Sequence, residues 1–148
     1  MPKIDQIQKL RQETGFGIME CKKALEDSKG DFVKAKEILQ KIGAEKAIKK
    51  VERETNCGLI EAYSHGGRIG VLVLVSCETD FVAKNADFKE LVHDLALQIA
   101  SMAPKDEKEL LASPFIKDET TTIKDLIEFK IGKIGENIKV KRFVRYEL

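Results

Sequence analysis

The stretch "CGLIEAYSHGGRIGVLVLVSCETDFVAKN", Cys57 to Asn85, decides the fold. Two runs rich in apolar residues flank Gly66-Gly67, and a glycine pair between such runs is a strong hairpin signal. With a two-residue turn, Ser64 faces Ile69 and Ile60 faces Val73. That register puts Cys57 and Cys77 on opposite faces, which argues against a disulfide or a shared metal between them. The second strand, "IGVLVLV", is apolar on both faces, so both sides need covering. It then runs into a polar corner where Asp80 stands beside Phe81. Either Phe81 packs under a helix capped by Thr79, or it points outward as a wedge for something else.

Working outward, two helices follow the hairpin. One spans about 86–102, with Phe88, Leu91, Val92, Leu95 and Ile99 at helical spacing. The other spans about 122–134, with Ile123, Leu126, Ile127 and Ile134 turned inward. The ending "NIKVKRFVRYEL" alternates. Ile138, Val140, Val144 and Tyr146 share one face, with Lys139, Lys141 and Arg145 on the other, as in a third antiparallel strand. Helices on one side of this sheet leave a face bearing Leu59, Tyr63, Leu72 and Leu74 exposed. A second copy of the chain would cover it.

Upstream, residues 1–43 read as three short helices, about 4–14, 18–28 and a third closed by Gly43. Residues 44–54, "AEKAIKKVERE", are charged and helix-favouring, and read as a linker helix. The expected architecture is therefore α+β. A three-helix module over 1–43 precedes a core over 55–148, built of a three-stranded antiparallel sheet with helices packed on it.

Composition excludes several classes of function. The 148 residues are 43% hydrophobic and 34% charged with a net charge of +1, so no overall field favours nucleic acid or membrane binding. There is no apolar run long enough to span a bilayer and no signal-peptide pattern at the start. Three cysteines without C-x-x-C spacing suggest reduced thiols and a cytoplasmic protein. His65 and His93, the only histidines, have no triad or metal partner in the sequence. Neither a phosphate-binding loop nor a dinucleotide fingerprint occurs. The chain is expected to be no enzyme, to carry no cofactor or metal, and to bind no nucleotide directly.

Two motifs carry a resemblance. "LRQETGFGIMECKKAL", Leu10 to Leu25, resembles the opening module of the bacterial elongation factor Ts family, and "CETDFVAKN", Cys77 to Asn85, resembles that family's signature corner. "IGENIKVKRFVRYEL", Ile134 to Leu148, is similar to its final strand. The resemblance implies a guanine nucleotide exchange factor for elongation factor Tu in protein synthesis. It also implies an N-terminal module like a ubiquitin-associated (UBA) domain and a dimerisation-type core. Thr79, Asp80, Phe81 and Val82 would displace the GTPase's Mg²⁺, with Phe81 as the wedge. Arg11, Met19 and Lys22 would contact a GTPase helix.

Two departures from the family pattern stand out. Between Lys105 and Ser113 this chain has only "KDEKELLA", where many relatives carry further helices, so a homodimer with two GTPase molecules is expected. A histidine contact of some relatives falls on Gln98. Two alternatives stay open from the residues alone: a UBA-like module with another partner, and a nucleic-acid binder using Lys139, Lys141, Arg142 and Arg145.

Overall fold

The computed structural model describes residues 1–148. In chain order it contains α1 (Ile4–Thr14), α2 (Ile18–Asp27), α3 (Phe32–Lys50), β1 (Cys57–His65), β2 (Ile69–Cys77), α4 (Asp80–Ala83), α5 (Ala86–Met102), α6 (Glu107–Ala112), β3 (Pro114–Phe115), β4 (Asp118–Thr122), α7 (Ile123–Ile134) and β5 (Lys139–Glu147). The class is α+β. β2 is the centre of an antiparallel sheet of order β1-β2-β5, and β3-β4 form a separate small hairpin.

Local chemistry sets the helix ends. Gly15 closes α1 in the left-handed region at φ 73°, with its N–H donating to Arg11 O. Asn85 accepts from the Asp87 N–H at the start of α5. Thr122 and Asp125 form a capping box at the start of α7. Phe88, Leu91, Val92, Leu95 and Ile99 of α5 are fully buried, and they meet Val71, Val73 and Val75 of β2 in the main core. A second core gathers Leu10, Phe16, Cys21, Ala24, Leu25, Ala35 and Leu39 from α1, α2, α3 and the α1–α2 turn.

The structure differs from the sequence reading in four places. The hairpin loop has three residues, Gly66, Gly67 and Arg68, so His65 pairs with Ile69 and Ile60 with Leu74. β1 carries apolar side chains on both faces, and its pattern alone cannot fix the register. The one-residue slip turns Leu59 and Tyr63 toward the helices and Ile60 and Ala62 outward. It also makes Cys57 and Cys77 cross-strand partners, contrary to the expected opposite faces.

In β5 a bulge at Lys141 resets the alternation. Val140 pairs with Val75, but Arg142 pairs with Leu74. Val144 and Tyr146 therefore lie on the outer face, opposite to Val140. Arg145 turns inward and donates from Nε (3.2 Å) and Nη2 (2.9 Å) to Ala100 O, near the end of α5.

The helix expected to close at Gly43 runs unbroken to Lys50, so the third helix and most of the linker are one element. Gly43 is instead a contact surface, because a Cβ there would meet Glu128 O of α7 at 3.0 Å. Across the crossing, a Cβ on Gly132 would meet Gly43 Cα at 2.7 Å. Phe16 stacks edge-on against Phe129 at 5.2 Å, and Gln40 Nε2 donates to Asp125 O at 2.9 Å. This seam joins the N-terminal helices to α7. Finally, α6 and the β3-β4 hairpin lie between α5 and α7, where the sequence reading has no element. Gln98 of α5 is fully buried there, donating to Pro114 O (2.7 Å) and accepting from the Ile116 N–H (2.9 Å).

Candidate functional site

The corner after β2 is a single turn of helix. Thr79 is its N-cap, extended at φ −130°, and its hydroxyl accepts from the Val82 N–H at 3.3 Å. Val82 and Ala83 are buried at 6% and 4%, which anchors the inner side of the turn. Phe81 lies on the other side and is 83% exposed. Asp80 beside it is also exposed. Thr79 is the expected cap, but Phe81 does not pack beneath the helix.

Thiols back the corner from the sheet. Cys77 Sγ donates to Thr79 O at 3.2 Å. Burial pushes the Cys77 thiol up to about 11, and the Glu136 carboxylate nearby pushes in the same direction. The Cys57 thiol is raised too, first by burial and then by the negative charge of Asp80. Both are poor nucleophiles at neutral pH.

A carboxylate from a distant element completes the geometry. Glu136, just past the C-cap of α7, accepts from the Glu78 N–H and the Thr79 N–H with Oε1, both at 3.0 Å. Its Oε2 accepts from Thr79 Oγ at 2.8 Å. In return Asn137 N–H donates to Glu78 Oε1 at 2.8 Å. Sequence reasoning missed Glu78, Glu136 and Asn137 as parts of the site. No local pattern marks them, because the groups they bind lie 57 to 59 residues away along the chain.

Of the N-terminal candidates, Arg11 and Met19 are exposed, Met19 at 71%, and Lys22 is half-buried. Ile18, beside Met19, is 52% exposed, so α2 shows a partly apolar surface. These residues sit on α1 and α2, over the second core, and the 79–82 corner belongs to the first. The histidines both have neighbours. His65 Nδ1 lies 3.0 Å from Tyr63 Oη, and His93 Nδ1 lies 3.5 Å from Glu61.

Residues 78–148 match a family model described as Elongation factor TS. The elongation factor Ts of Coprothermobacter proteolyticus is 45% identical over 188 aligned positions, spanning 96% of this chain and 95% of that protein. The chain belongs to the elongation factor Ts family. The elongation factor Ts of Thermotoga maritima is 43% identical, covering 98% of this chain and 95% of its own length. That of Moorella thermoacetica is 42% identical, covering 96% and 93%. This member of the elongation factor Ts family is thus a translation elongation factor. It is also short: the 188 aligned positions exceed its 148 residues, so at least 40 positions of the C. proteolyticus protein have no counterpart here. No helix is long and apolar enough to cross a membrane.

Proposed function

We propose that this chain is the guanine nucleotide exchange factor of elongation factor Tu, acting in the cytoplasm and catalysing no covalent chemistry. The observation that carries the reading is Phe81, 83% exposed on a turn whose inner residues are buried. A large aromatic carried into water on an anchored backbone turn is suited to bind a partner.

The mechanism needs only differential affinity. A GTPase retains GDP through its phosphate loop and a Mg²⁺ of near-octahedral geometry, which tolerates little displacement of its ligands. Phe81 enters between helices of the GTPase near that metal, Asp80 orients or bonds the partner, and Thr79 and Val82 hold the turn. By linkage, a factor that binds the empty GTPase more tightly weakens GDP by the same ratio. A ~10⁴-fold effect needs about 5.5 kcal/mol, whereas burying one aromatic supplies ~1.5–3 kcal/mol. The remainder comes from a second contact, through Arg11, Met19 and Lys22 of a UBA-like module over residues 1–43.

The pairing of two copies through the outer sheet face belongs to the same reading. Ile60 and Tyr146 stand 63% and 74% exposed there, with Leu72 and Val144 between them. Two chains would then carry two GTPase molecules. No resident cofactor, nucleotide, nucleic acid or lipid enters the scheme.

The deciding experiment is release of labelled GDP from elongation factor Tu, with and without this protein. Acceleration at substoichiometric amounts is expected, and an unchanged release rate refutes the reading. Arg11→Ala and Met19→Ala should raise the concentration for half-maximal release while leaving its ceiling. An unchanged half-maximal concentration would make that face ordinary surface.

A further inference from the structure

We propose that Glu136 is the positioning residue of the exchange corner, aiming Phe81 by gathering the Glu78 N–H, the Thr79 N–H and the Thr79 hydroxyl onto one carboxylate. The inference rests on the wedge reading of Phe81.

Three donors immediately upstream of the aromatic converge on Glu136, at 3.0, 3.0 and 2.8 Å. Hydrogen bonds to an ionised acceptor are about twice as strong as neutral ones. Thr79 passes the constraint forward, since its hydroxyl also accepts from the Val82 N–H. Phe81 is therefore bracketed by Thr79, pinned from α7, and by Val82, pinned by burial. An exposed ring has no packing of its own to fix its direction, so its backbone must do so.

Glu136 is itself fixed. It follows Gly135, the left-handed residue at φ 89° that ends α7. Asn137 after it is 2% exposed, and its side-chain amide donates to Arg53 O at 2.9 Å and Val51 O at 3.4 Å. Asn137 N–H returns a bond to Glu78, which also lies 3.6 Å from the Arg53 guanidinium. The corner, the end of α3 and the start of β5 thus meet at Glu136-Asn137. Since α7 also bears the seam to the N-terminal helices, one helix references both proposed contact surfaces.

The test measures GDP release from elongation factor Tu over a range of factor concentrations, for Glu136→Ala, Phe81→Ala and the double variant. Loss of the carboxylate should lower the release rate at saturating factor by about tenfold. The concentration for half-maximal effect should move far less, because the N-terminal contact is untouched. In the Phe81→Ala background, Glu136→Ala should have no further effect, since there is no wedge left to aim. Glu136→Gln, which keeps the length and one acceptor, should be intermediate and serves if the alanine variant folds poorly. Amide hydrogen exchange of Glu78 and Thr79 in the free protein should quicken in both variants. If Phe81→Ala alone leaves release unchanged, the wedge itself fails, and the role of Glu136 with it. If Phe81→Ala slows release but Glu136→Ala does not, or the two losses multiply in full, the wedge stands and the positioning role is overturned. Unchanged exchange at Glu78 and Thr79 would overturn it equally.

Discussion

Phe81 keeps 83% of its surface in water, so its removal costs the fold almost nothing. Phe81→Ala should leave the melting temperature nearly unchanged. GDP release should slow substantially, with the larger loss when Mg²⁺ is abundant. A drop matching the ~3–5 kcal/mol of a core phenylalanine, with full exchange by the folded remainder, would refute the wedge. Cys77 behaves in the opposite way, being fully buried. Its thiol is held up at about 11 in the fold against 9.0 otherwise, so the unfolded chain loses that proton first. The associated stability is complete below about pH 9 and disappears as pH climbs through 11. Thermal unfolding between pH 8 and 11 should fall more steeply for the native protein than for Cys77→Ala. Parallel slopes would show that the thiol is not linked to folding.

At the scale of elements, the glycine seam is the most exacting contact. A methyl group on Gly132 would meet Gly43 Cα at 2.7 Å and Phe16 Cζ at 3.0 Å. Gly132→Ala should cost ~1–3 kcal/mol by overpacking, read as a lower midpoint in denaturant. An unchanged midpoint would mean the helices separate freely. A cut at residue 43 would divide α3 and bare this groove, which is why point variants test the N-terminal face better than truncation.

The same seam marks what the sequence could and could not say. The range of α1 is legible from its apolar spacing and the Gly15 that closes it, and that of α5 from the spacing of Phe88, Leu91, Val92, Leu95 and Ile99. Gly43 misled because a glycine that ends a helix and a glycine that admits a neighbouring backbone look alike in one chain. The register of β1 was hidden by Leu59 and Ile60, adjacent and both apolar. The bulge at Lys141 was hidden because residues on both sides of it alternate correctly. At the corner, Thr79 was readable as a cap. Glu136 was not, because a long-range acceptor for backbone N–H groups has no local signature.

For the whole molecule, the outer sheet face exposes apolar side chains from all three strands. Ile60, Leu72, Val144 and Tyr146 align there, flanked by Arg142. A face of this composition is suited to a copy of itself. Sedimentation should give about twice the 16.7 kDa chain mass. Leu72→Asp should halve that mass without unfolding the chain. A strict monomer at tens of micromolar, alone and with the GTPase, would remove the pairing from the scheme.

α7 sets a phase as well as a spacing. Its first turn accepts the N-terminal helices through Asp125, and the residue beyond its cap holds the corner. One extra residue inside this helix would advance its far end by about 1.5 Å and rotate it by about 100°. Phe129, Ile131 and Gly132 would turn out of the contacts they make, and the two binding surfaces would lose their common reference. An alanine inserted after Glu128 should lower the denaturation midpoint and abolish accelerated GDP release by the fraction that stays folded. Retained acceleration would mean that the two surfaces engage the GTPase independently, as if tethered by string and not by a rod.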